Sequence, residues 1–213
     1  MHDDERDLPN APPALPGEQR TGARFNLLIR PAKLAFPEGR EYVCILRDVS
    51  PGGCKARIFH PLPPEGAMVL ELGNGDRYPV ERVWEREDHI GMRFRDAVPM
   101  EYLLNEDGRY RKRPVRVRLS LPALIIAGRE AIAAEVRDLS QQGAQLACEA
   151  HLAVDQQVRL EIAGLTPIVA KVRWRRVPTV GLVFEQTFRL DDFARLVARL
   201  QERGAAGLDT RCA

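Results

Sequence analysis

The chain carries one pattern twice, at a constant offset of 90 residues. Asp48-Val49-Ser50-Pro51-Gly52-Gly53 returns as Asp138-Leu139-Ser140-Gln141-Gln142-Gly143. Trp84 returns as Trp174, Gly91 as Gly181 and Phe94 as Phe184. The 213 residues hold three serines and two tryptophans, and two of those serines and both tryptophans fall at matched positions. A repeat this long describes two similar domains, not a solenoid of small units. Each half is large enough to bury a modest core.

Within each half, apolar segments alternate with turn residues. In the first, 25–29, 41–46, 55–59, 67–72, 78–84 and 89–94 read as strands, separated by Pro- and Gly-rich turns. In the second, the strands are expected at 117–126, 131–137, 145–147, 157–162, 168–174 and 179–184. Six short strands at this spacing predict a small antiparallel barrel. Residues 1–19 hold four prolines and several acids and are expected to form a disordered tail. The expected domains are 20–98 and 109–188, joined by a linker at 99–108. The period then changes. Phe193, Leu196, Val197 and Leu200 fall at i, i+3, i+4 and i+7 behind Asp191, which predicts a capped amphipathic helix over 189–203. Gly204 is its expected stop, with 204–213 a flexible tail, and the second barrel is the expected surface for its apolar stripe.

Composition excludes several classes. The net charge of +2 offers no global attraction for nucleic acid, and the 6% aromatic content is low for a base-stacking platform, so neither DNA nor RNA is an expected partner. The run from Arg109 to Arg118 is basic, as solvated strand edges and linkers often are. No apolar stretch approaches the roughly 20 residues that span a bilayer, and the acidic N-terminus lacks a secretory layout, so a cytoplasmic protein without membrane insertion is expected. The cysteines Cys44, Cys54, Cys148 and Cys212 have no metal-ligand spacing and are expected to be free thiols, with no metal and no cofactor. No catalytic constellation can be assembled from the motifs, so an enzyme is not expected.

Each Asp-x-Ser-x-x-Gly stretch follows one apolar segment and precedes another. It is expected on a turn, with Asp and Ser capping backbone donors and Gly at positive φ. An arginine pair lies ahead of each: Arg20 and Arg24 in the first half, Arg109 and Arg113 in the second. In the second half Lys112 and Arg116 have the same spacing and are an equally open choice.

This combination resembles the PilZ domain, a family of bacterial receptors for cyclic di-GMP. The resemblance rests on Arg20 to Arg24, Asp48 to Gly53, Val83-Trp84 and Gly91 to Phe94, and on Arg109 to Arg113, Asp138 to Gly143, Arg173-Trp174 and Gly181 to Phe184. It implies a mainly β protein: two six-stranded antiparallel barrels in tandem, with a C-terminal α-helix. It also implies cyclic di-GMP as ligand, held by Arg20, Arg24, Asp48, Ser50 and Gly53 in one copy and Arg109, Arg113, Asp138, Ser140 and Gly143 in the other. The chemistry fits. An arginine fork grips phosphate or the O6 and N7 of guanine, and a carboxylate accepts from guanine's N1 and N2 donors. The family passes its signal by closing the arginine segment over the ligand, here toward an unidentified protein partner, from a monomer or homodimer. The alternative is a ligand-independent interaction scaffold built on degenerate barrels.

Overall fold

The computed structural model describes residues 25–64, 67–104 and 114–209, with side chains for 30–64, 67–104 and 114–203. The tail expected at 1–19 lies outside them, as does the linker from 105 onward. Twelve strands form two closed antiparallel barrels. The first contains β1 (Phe25–Ala35), β2 (Glu41–Ser50), β3 (Gly53–Arg57), β4 (Ala67–Leu72), β5 (Arg77–Arg86) and β6 (His89–Phe94). Its order is β1-β2-β3-β6-β5-β4. A short helix, α1 (Met100–Leu104), follows. The second contains β7 (Arg116–Ala127), β8 (Glu130–Ser140), β9 (Gly143–Ala147), β10 (Gln157–Ile162), β11 (Ile168–Arg176) and β12 (Thr179–Phe184), in the equivalent order. Closure gives every strand a paired neighbour on each side around either barrel. The chain ends on α2 (Leu190–Asp209).

Alternation along each strand sends one set of side chains inward. Leu34, Leu46, Leu70 and Ile90 fill the first barrel, and Ile125, Leu146, Leu160 and Val172 the second. Both barrels interrupt that alternation at matched points. The β2–β3 register shifts between Leu46 and Asp48, so Arg47 is an extra residue. The β8–β9 register shifts between Val136 and Asp138, so Arg137 is its counterpart. Without the bulge, Asp48 would share the inward face with Leu46. With it, Val49 turns into the core and Asp48 turns out. A second pair of bulges, at Val83 and Arg173, turns Trp84 and Trp174 outward in the same way.

Two expectations about the motif are corrected. Asp48 and Ser50 end β2 instead of lying in a turn, and Asp138 and Ser140 end β8. The turns are only two residues long, and Ser50 pairs with Gly53 across one as Ser140 pairs with Gly143 across the other. Gly53 and Gly143 also lack a positive φ. Their requirement for glycine is steric. A Cβ on Gly53 would lie 2.4 Å from the Met92 carbonyl oxygen, and one on Gly143 would lie 2.2 Å from that of Leu182. The missing side chain lets the neighbouring strand approach. Gly91 and Gly181 have a related task, because the indoles of Trp84 and Trp174 occupy the space a Cβ would need.

The helix expectation also changes. α2 begins at Leu190, which puts Asp191 inside its first turn, and it passes through Gly204 to Asp209. Ala205, Ala206 and Leu208 are strong helix formers, and propagating an existing helix gains one hydrogen bond per residue. Phe193, Leu196, Val197 and Leu200 pack on the second barrel as expected, while Ala198 joins the core of the first. The helix therefore bridges the two.

The bridge continues through β2, whose residues Glu41 to Leu46 are all buried. Tyr42, Cys44 and Leu46 face their own barrel, whereas Val43 on the other face enters the core cluster of the second. β3 pairs with β2 only from Ile45 onward, so the peptide of Glu41 lacks a strand partner on that side. Gln201 of α2 supplies one. Its Oε1 accepts from the Glu41 N–H and its Nε2 donates to the Glu41 carbonyl, each at 2.8 Å. Buried Lys33 lies between two carboxylates, 3.0 Å from Glu41 and 3.2 Å from Glu71. It also donates to the Arg116 carbonyl at 3.0 Å, and Glu41 accepts from the Arg118 N–H at 2.8 Å. At the far end, the Arg30 guanidinium donates to the Leu103 carbonyl of α1.

Truncating one partner of a buried ion pair leaves the other charge uncompensated. Lys33→Ala should therefore destabilise the folded chain by about 3–5 kcal/mol in urea unfolding. Gly181→Ala should lose about 1–3 kcal/mol, because its Cβ would meet the Trp174 indole. In a Trp174→Ala background most of that loss should vanish, whereas Gly143→Ala, which meets backbone, should gain nothing from that background. Burial pushes the Cys44 thiol up to about 12 and raises Cys54 as well. Both thiols should resist a disulfide reagent at pH 8 and react at once in denaturant.

Candidate functional site

The parts of the repeat that are scattered in sequence form one row across each barrel. In the second barrel Trp174 lies opposite Gly181, Gly181 opposite Gln145, Gln145 opposite Asp138 and Asp138 opposite Arg118. In the first, the row is Trp84, Gly91, Lys55, Asp48 and Asn26. Directly opposed residues share a face of the sheet. Ala144, Leu146, Val180 and Leu182 flank the second row and point into the core, so the row itself faces outward. The bulges are what bring the carboxylate and the indole to that face.

Strand pairing also aligns the arginine segments. Phe25 lies opposite Val49, and Val117 lies opposite Leu139. Counted along the chain from those two residues, Arg116 in the second half answers to Arg24 in the first. Sequence spacing could not make that alignment, because the bulge in β1 holds one residue more than the bulge in β7. The first places three residues between Asn26 and Arg30, the second two between Arg118 and Leu121. Arg20, Arg24, Arg109 and Arg113 lie outside the described residues.

Arg116 lies across from Ser140, and its Nη1 donates to Asp138 Oδ1 at 2.5 Å. The carboxylate is 18% exposed and the guanidinium 47%. The arginine of this pair is half open to solvent and the aspartate partly so, and a ligand that offers a phosphate to the arginine and donors to the carboxylate can replace it while keeping both charges partnered. Ser50 Oγ and Ser140 Oγ each donate to the carbonyl of the glycine opposite, at 3.1 Å. Each hydroxyl retains acceptor capacity.

Asp138 and Arg116 border a cleft of about 410 Å³ between the two barrels. The first barrel forms its other wall through Lys33, Glu71 and the β4–β5 turn at Asn74. Sequence inspection could not find these residues, since nothing in their local pattern points to a partner more than 40 positions away. Arg118, also on the cleft, was visible only as one member of a basic run. Among the described residues, no helix is long and apolar enough to cross a membrane.

Several solved structures resemble this chain. One is the Borreliella burgdorferi PlzA protein in complex with c-di-GMP, at 11% identity and a TM-score of 0.34, covering 83% of this chain and 93% of that one. Another is the Bacillus subtilis inhibitor of motility, MotI or DgrA, at 14% identity and a TM-score of 0.36, covering 85% and 99%. A third is Escherichia coli YcgR in complex with c-di-GMP, at 13% identity and a TM-score of 0.30, covering 86% and 88%. No curated protein matches the sequence. Residues 109–202, which hold the second barrel and most of α2, match the PilZ domain family.

Proposed function

We propose that the chain is a non-enzymatic cytoplasmic receptor for cyclic di-GMP, built from two PilZ-type barrels in tandem, that hands the signal to a protein partner. The observation that carries this reading is the Asp138–Arg116 pair. It sits on the cleft, at the place where bulge and strand register bring the two halves of the motif together. It lies inside the segment that matches the PilZ family.

On this reading guanine's N1–H and N2–H₂ replace the guanidinium on Asp138, and the released Arg116 takes a phosphate of the ligand. On this reading the second copy uses Lys112 and Arg116 in preference to Arg109 and Arg113, and the first uses Arg20 and Arg24; the place of Arg116 across from Ser140 supports that choice. Asp48 repeats the role of Asp138. Ser50 and Ser140 contribute acceptor lone pairs, since their protons are held by the turn. Gly53 and Gly143 act indirectly, by letting β6 and β12 close on the turn. Arg116 is tied through its carbonyl to Lys33 of the first barrel, so a change there is felt at the interface. That linkage supplies a route from ligand to partner surface.

A second reading, a scaffold that works without ligand, draws on the same serine hydrogen bonds, which already satisfy the turn. Isothermal calorimetry separates the two. Saturable heat with cyclic di-GMP is expected, weakened at least tenfold at the second site by Arg116→Ala or Asp138→Ala and at the first by Arg24→Ala or Asp48→Ala. The absence of heat and of any thermal shift at high micromolar ligand would leave the scaffold reading standing.

A further inference from the structure

The cleft holds a second arginine that the repeat does not account for. Arg118 lies directly opposite Asp138 in the β7–β8 register, and both border the cleft. It is two residues beyond Arg116 on the same strand, so the two guanidinium stems leave the same face roughly 6.6 Å apart. In the first barrel the matching place, opposite Asp48, belongs to Asn26. The charge is therefore peculiar to the second site.

Arg118 has a fixed stem and an open head. Its backbone N–H is held by Glu41 Oε2 at 2.8 Å, and the carbonyl of Arg116 by Lys33 Nζ at 3.0 Å. Both contacts come from the first barrel, from side chains that are themselves buried. The guanidinium reaches Glu41 Oε1 only at 3.9 Å and is 73% exposed. A strand anchored from behind, with its fork free toward a polar cleft, presents a prepared anion site.

We propose that Arg118 is a further ligand-contacting residue of the second site, gripping a phosphate of the bound dinucleotide, and that the first barrel completes this site by anchoring its strand. The proposal rests on the reading of the cleft as a cyclic di-GMP site. It makes the two sites unequal, because the position opposite Asp48 in the first half is Asn26 and not an arginine.

The test is calorimetric titration of the full chain with cyclic di-GMP in an Asp48→Ala background, so that only the second site reports. Arg118→Ala should weaken binding by about tenfold, the usual loss for one charge-assisted hydrogen-bonded contact. Arg118→Lys, which keeps charge without the fork, should fall between. The unliganded melting temperature should not move in either variant, because the side chain is exposed. If Arg118→Ala binds as tightly as the background while Asp138→Ala abolishes binding, the role of Arg118 is overturned and the receptor reading survives. If the background shows no binding while the chain with Asp48 intact does, the second site and the role of Arg118 fall and the receptor reading survives through the first site; if neither binds, both fall.

Discussion

The single-residue bulge in β2, and its copy in β8, is the constraint on which the candidate sites depend. A regular strand would send Asp48 or Asp138 to the face already occupied by Leu46 or Val136. An ionised carboxylate cannot remain there unpaired, because its transfer into an apolar core is prohibitive. One extra residue reverses the alternation, so that Val49 and Leu139 fill the core and each aspartate reaches the surface. The bulges at Val83 and Arg173 do the same for the tryptophans, and the glycines opposite them leave room for the rings.

The two barrels share this plan but not their surroundings. Residues 41–46 of β2 are buried on both faces, as a strand inside a sandwich of layers would be, and the segment accordingly lacks polar alternation. The corresponding stretch of β8 alternates between buried and exposed positions. The difference arises because the outer face of β2 packs against the second barrel and α2. Lys33, Glu41 and Gln201 meet in that junction and satisfy one another. Their backbone contacts reach Arg116 and Arg118, so the junction and the cleft are parts of one network.

Much of the fold was legible in the repeat. Six strand segments per half, the location of each polar turn and the apolar stripe of the C-terminal helix all follow from local periodicity, which reports directly on burial. The errors are equally physical. The strands proved longer than their apolar stretches, because Asp48 and Ser50 continue the ladder while pointing away from the core. Gly53 and Gly143 were assigned a backbone role and have a packing role instead, which depends on a strand some 40 residues distant. Gly204 did not stop α2, since helix propagation through neighbouring good formers outweighs the cost of Gly204 and Gly207.

By itself the sequence determined that there are two domains, that each is a small antiparallel β unit, and that an Asp-x-Ser-x-x-Gly stretch with upstream arginines recurs in both. These are statements about residues near one another in the chain, where spacing is informative. Only the tertiary structure decided that Trp, Gly, Asp and the start of the first strand form one row, that Arg116 lies across from Ser140 and reaches Asp138, and that the first barrel walls the cleft of the second. Each of those depends on contacts between strands, from the 7 residues that separate Trp174 and Gly181 to the 83 between Lys33 and Arg116, and a bulge of two residues or three changes the pairing while leaving the local pattern of polar and apolar side chains almost untouched.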